Sequence, residues 1–154
     1  MKVSKVCKRA TGAVFMLALL GAALLSQRAT GREEMFADDG SKLVGNWTGE
    51  SVCVGNHPAC HDEKVIYRIT RPPDAKGIVS IAADKIVDGK PEPMGVLDFK
   101  YDGAKGTLVG EFTNARYHGL WEYTVKGNTM EGTLTLLPSK EIVRHVKVRK
   151  GSSV

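Results

Sequence analysis

The chain of 154 residues is poor in the residues that usually advertise chemistry. It has three cysteines, four histidines and ten aromatics, too few to suggest a cysteine-rich scaffold or a cofactor box. Its longest apolar run, Ala10 to Leu25, reaches about 24 Å as a helix, short of the roughly 30 Å of a bilayer core. Beyond that run it has no excess charge of either sign. Lys2, Lys5, Lys8, Arg9 and Arg28 are five of the 22 basic residues, so from Arg32 onward 17 basic residues face all 17 acidic ones. A nucleic-acid footprint needs clustered positive charge to displace counterions from phosphates, and this balance excludes it as a bulk feature. The length excludes a multidomain enzyme and leaves one domain of ordinary size.

The basic stretch followed by an apolar run has the form of a secretory signal. The expected division is a signal peptide over residues 1–31, a polar tether over 32–41, a folded domain over 42–150 and a short tail over 151–154. The expected destination is secreted or periplasmic. The alternative is an uncleaved N-terminal anchor with the domain facing outward, the chain's only expected attachment to a membrane.

After the tether, short runs rich in Val, Ile, Thr, Tyr and Phe alternate with clusters of Gly, Pro, Asp and Asn, an all-β pattern. Eight strands are expected: Leu43 to Val52, Lys64 to Arg71, Ile78 to Val87, Met94 to Tyr101, Thr107 to Thr113, Leu120 to Val125, Thr129 to Leu137 and Ile142 to Lys150. Leu97, Phe99 and Tyr101 alternate with Asp98 and Lys100, and Trp121, Tyr123 and Val125 with Glu122 and Thr124, as strands with one core face require. Short connections make sequential neighbours pair antiparallel, and eight strands remove their edges most simply by closing into an up-and-down barrel. A two-sheet sandwich satisfies the same periodicity. Gly45, Gly49, Gly110 and Gly132 are expected at barrel corners.

The first strand opens with Gly45-Asn46-Trp47, which resembles the Gly-x-Trp signature of lipocalins and related small barrels of the calycin group. The resemblance implies that Trp47 closes one end of the barrel beneath a basic side chain of the last strand. Arg149 and Arg144 both lie there, and Arg149 falls nearer the start of the first strand in an antiparallel pairing. It also implies a binder of a small apolar or amphiphilic ligand. The domain is short for a lipocalin and has no C-terminal helix, which leaves a family of small secreted bacterial proteins as the other membership.

The segment Cys53 to Glu63 carries the densest set of reactive side chains. Cys53 and Cys60 in an exported domain are expected to form a disulfide. The alternative is a zinc site of Cys53, His57, Cys60 and His61, the ligand types zinc prefers. No cofactor and no metal are expected. Gly49-Glu50-Ser51-Val52-Cys53 lacks the second glycine of a nucleophile elbow, and Glu50, Asp98, Glu111 and Glu122 are acids on strand positions with no readable separation. The expectation is therefore a protein without catalysis. Candidate ligand-binding residues are Tyr67, Tyr101, Tyr117, His118, Trp121 and Tyr123, aromatic surface with one titratable nitrogen. The competing expectation is that these aromatics fill the interior, giving a cavity-free envelope domain that acts on an unidentified protein partner through its surface.

Overall fold

The computed structural model describes residues 38–151, and all that follows concerns those residues. The signal segment, most of the tether and the last three residues lie outside them. A 3-10 turn at Ser41–Leu43 leads into eight strands: β1 (Gly45–Cys53), β2 (Glu63–Thr70), β3 (Ile78–Val87), β4 (Lys90–Asp102), β5 (Thr107–Thr113), β6 (His118–Lys126), β7 (Thr129–Leu136) and β8 (Glu141–Lys150). They pair antiparallel in sequence order, and β1 pairs with β8 to close the barrel. The β1–β8 ladder decides between barrel and sandwich, and Gly49 sits where the two strands approach closely: a Cβ there would stand 2.7 Å from the Val148 Cα.

Alternation is carried into the fold with few breaks. Trp47, Ser51, Val65, Tyr67, Ile69, Val79, Ile81, Phe99, Leu108, Tyr123, Met130, Val146 and Val148 are buried, and their odd or even phase in each strand defines the inner wall. Register shifts between Ala83 and Asp84, and between Leu134 and Thr135, mark β-bulges. The β3–β4 hairpin turns through Asp88 and Gly89, both at positive φ, as a two-residue primed turn requires.

The fourth strand starts earlier than its sequence suggests. Pro91 and Pro93 look like boundaries, yet β4 begins at Lys90 and pairs with β3 through both prolines. Proline removes a donor from one side of a strand only, so it is tolerated where the other neighbour is missing. Here the other neighbour is missing: β4 pairs with β5 only at Lys100↔Val109, Tyr101↔Leu108 and Asp102↔Thr107.

The end of the barrel where β1 starts is sealed. Leu43 plugs it, Trp47 is fully buried, and the Trp47 indole donates to the Leu43 carbonyl at 2.8 Å. The last residues assigned to the tether are tied down here: the Tyr101 hydroxyl donates to Asp38 at 3.0 Å, and Asp39 pairs with Arg71 at 2.9 Å. Arg149 does not cap Trp47. It is exposed, because the inward phase of β8 runs through Val146 and Val148 to Lys150. Lys150 stands opposite Trp47 and donates to the Lys42 carbonyl at 2.6 Å.

Candidate functional site

The opposite end is the mouth, rimmed by the β1–β2, β5–β6 and β7–β8 connections and the β3–β4 hairpin. Inward residues near the seal, such as Ile69, Val79, Leu108, Met130 and Val148, are buried. Toward the mouth, the inward Ala83, Leu97, Phe112, Trp121 and Leu136 are only partly buried. Among these residues the inner wall is buried toward the seal and partly exposed toward the mouth, although Ser51 and Val65 on the mouth side are buried and Tyr101 and Val125 near the seal are partly exposed.

Aromatic rings form the floor. Tyr123 stacks on Trp121 at a centroid distance of 5.7 Å and meets Phe99 and Tyr67 edge-on at 5.6 and 6.2 Å. Three glycines make room for rings carried by the neighbouring strand. A Cβ at Gly110 would lie 2.7 Å from the Phe99 ring, one at Gly119 would lie 2.6 Å from Phe112, and one at Gly132 would collide with Tyr123. At Gly110 and Gly132, expected at corners, aromatic rings lie against the glycine.

Above this floor sits a polar rung that sequence reasoning missed. Arg144 points inward and donates to the Ser51 hydroxyl at 2.9 Å and to the His61 carbonyl at 3.2 Å, and pairs with Glu63 at 3.1 Å. The two charged side chains are only 17% and 21% exposed. The signal was present in the phase of Arg144 with Val146 and Val148 on one strand. Burial raises the pKa of Tyr67, against the hydrogen bond from Tyr123 and the charge of Arg144, with Glu63 adding to the rise. Tyr123 is pushed well above the ordinary tyrosine value by burial and by Tyr67, to which it donates at 3.3 Å. Both phenols stay protonated at neutral pH.

The rim loop is anchored at several points. Cys53 and Cys60 form a disulfide with Cα atoms 6.0 Å apart, which removes both sulfurs from the zinc alternative. The Cys53 amide donates to Asp62 at 2.8 Å, and His57 Nε2 stands 3.3 Å from the Glu141 carboxylate. Among the described residues no group of three or more His, Cys, Asp or Glu is placed to hold a metal.

The six candidate residues do not form one site. Tyr67, Trp121 and Tyr123 are brought together in the interior. Tyr101 belongs to the sealed end, bound to Asp38. Tyr117 is exposed on the rim, in a turn closed by Asn114. His118 turns to Glu111, its Nε2 at 2.5 Å from the carboxylate. Leu97, Phe112 and Leu136 complete the lining in their place.

The fold defines the class: an antiparallel, eight-stranded, up-and-down closed barrel with one sealed end, consistent with a lipocalin-like architecture. The chain matches no family model and no curated protein sequence. The disulfide is consistent with an extracellular or periplasmic protein, and no helix among the described residues is long and apolar enough to cross a membrane.

Proposed function

We propose that this protein is exported and that, without catalysing a reaction, it binds a small amphiphilic molecule in the mouth of the barrel. The observation that carries the reading is the contrast in burial between the sealed end and the partly exposed apolar lining of the mouth. The apolar part of the ligand rests on Leu97, Phe112, Trp121 and Leu136, and its polar part faces the Glu63–Arg144 rung. The aromatic floor limits the depth, so the ligand is short or lies with one end outside.

A second reading has its own observation. The rings docked on Gly110, Gly119 and Gly132 fill the midsection, which favours a packed barrel acting through its surface. The two readings separate by experiment. The chain has two tryptophans: Trp47 behind the seal and Trp121 on the floor of the mouth. A bromine-bearing alkyl carboxylate should quench Trp121 saturably, and Trp121→Phe should remove that quenching while Trp47 emission remains. Native mass spectrometry of the protein from its exported compartment should show an added mass lost on denaturation. A bare protein with no saturable quenching would refute the binder and leave the packed barrel.

A further inference from the structure

The ladder that joins β4 to β5 is short. Every other neighbouring pair is joined by a ladder of six to ten residue pairs, but this one by three. From Gly95 to Phe99, β4 is paired with β3 on one side and with no strand on the other. The backbone groups directed to that side form an unpaired edge, as do those of Gly110 to Thr113 on the β5 side of the seam.

Two carboxylates lie just beyond the end of the ladder. Continuing the register past Lys100↔Val109 would set Phe99 opposite Gly110, Asp98 opposite Glu111 and Leu97 opposite Phe112. Asp98 and Glu111 are both exposed on the outer face, and like charges directly opposed destabilise a sheet pair. Each turns away from the seam instead. Asp98 accepts from the Ser80 hydroxyl on β3, and Glu111 binds His118 on β6. The ladder stops where the next outward pair would repel.

The edge is guarded only in part. Pro91 and Pro93 cannot donate to an incoming strand, and proline is a usual means of blunting an edge. No proline follows Pro93 in β4. Val96 is 70% exposed, the highest value among the exposed large hydrophobics, with Met94 at 44% on the same strand and Val109 at 38% across the seam.

We propose that the β4 edge at Gly95–Phe99 accepts an extended segment of another protein, carrying Lys or Arg at the outward position between Asp98 and Glu111 and small apolar side chains beside it. Unpaired amides and carbonyls are matched by another extended backbone, as in recognition by strand addition. Asp98 and Glu111 border the seam, and a cation placed between them would draw both carboxylates back from Ser80 and His118, while Val96 and Val109 offer apolar contact. The surface is separate from the mouth lining and does not depend on a ligand there.

The test uses the exported protein, isotope-labelled for NMR, and two synthetic peptides as probes: acetyl-Thr-Val-Lys-Val-Thr-amide and the same peptide with Glu for Lys. The Lys peptide should shift and protect the amides of Gly95 to Phe99 and those of Glu111 to Thr113. Its affinity should exceed that of the Glu peptide by about tenfold, which corresponds to about 1.4 kcal/mol. Asp98→Lys combined with Glu111→Lys should reverse the preference, and Asp98→Asn with Glu111→Gln should flatten it. Equal binding of the two peptides, no shifts at these amides, or slow exchange at both Val96 and Asp98 in the free protein would overturn the proposal.

Discussion

Replacing Arg144 by Met tests whether the polar rung at the mouth holds the rim loop. The substitution removes a guanidinium that donates to Ser51 and His61 and pairs with Glu63. Ser51 is buried, so its hydroxyl loses its partner where water hardly reaches, and the Glu63 carboxylate is left uncompensated with 21% of its side chain exposed. Breaking a fully buried pair costs about 3–5 kcal/mol, and an exposed pair is worth about 0–1 kcal/mol. Exposures of 17% and 21% place this pair between those limits, so the expected loss is about 2–3 kcal/mol. For a domain of this size that lowers Tm by about 8–12 °C. Urea unfolding followed by circular dichroism on Arg144→Met, Glu63→Gln and the double variant closes a cycle whose coupling should be about 1–2 kcal/mol. The Gly55 to Asp62 amides should also exchange faster in Arg144→Met, since the His61 carbonyl loses its tie. A coupling below about 0.5 kcal/mol with unchanged loop exchange would refute the assignment of Arg144 as the tie between loop and wall.

Removing the disulfide with Cys53→Ala and Cys60→Ala should cost about 2 kcal/mol, the chain-entropy value for so short a loop, and urea midpoints with and without reductant should agree on it. Gly132→Ala drives a methyl group into the Tyr123 ring and should destabilise by about 1–3 kcal/mol; thermal melts that match the parent would mean that the floor has room to move. The Tyr101 phenol has its pKa raised to about 12, first by burial and then by the hydrogen bond to Asp38. Because the folded value lies above the ordinary 10, its contribution to stability is complete below pH 10 and is lost as the pH rises through 12. Tyr67 and Tyr123 are raised by burial as well, so ultraviolet titration should show a late phase whose amplitude Tyr101→Phe lowers by one tyrosine without abolishing it.

Much of the fold was legible in one dimension because strands have a period of two and turns have a narrow chemistry. Leu97, Phe99 and Tyr101, and Trp121, Tyr123 and Val125, announced inner faces that the barrel keeps. Cys53 and Cys60, with six residues between them, announced their bond. The site was far less legible. Tyr67, Trp121 and Tyr123 were found because aromatic size signals burial, but Tyr101 has the same signal and sits at the other end of the barrel. Height along a barrel axis depends on where each strand lies against its neighbours, and no residue type encodes that. Arg149 failed as the cap of Trp47 for a related reason: nearness to the strand end was readable, but its phase across the wall followed from pairing with β1 and β7.

By itself, then, the sequence determined the number of strands, their inner faces, the turns between them and the stapled loop, all properties of neighbours along the chain. Tertiary structure alone decided that β1 meets β8, which end is plugged and that Arg144 faces Glu63. It also decided that Pro91 and Pro93 lie within a strand and that the β4–β5 ladder ends before Asp98 and Glu111. Those outcomes depend on contacts between residues distant in the chain, where register and charge are felt only once the strands stand side by side.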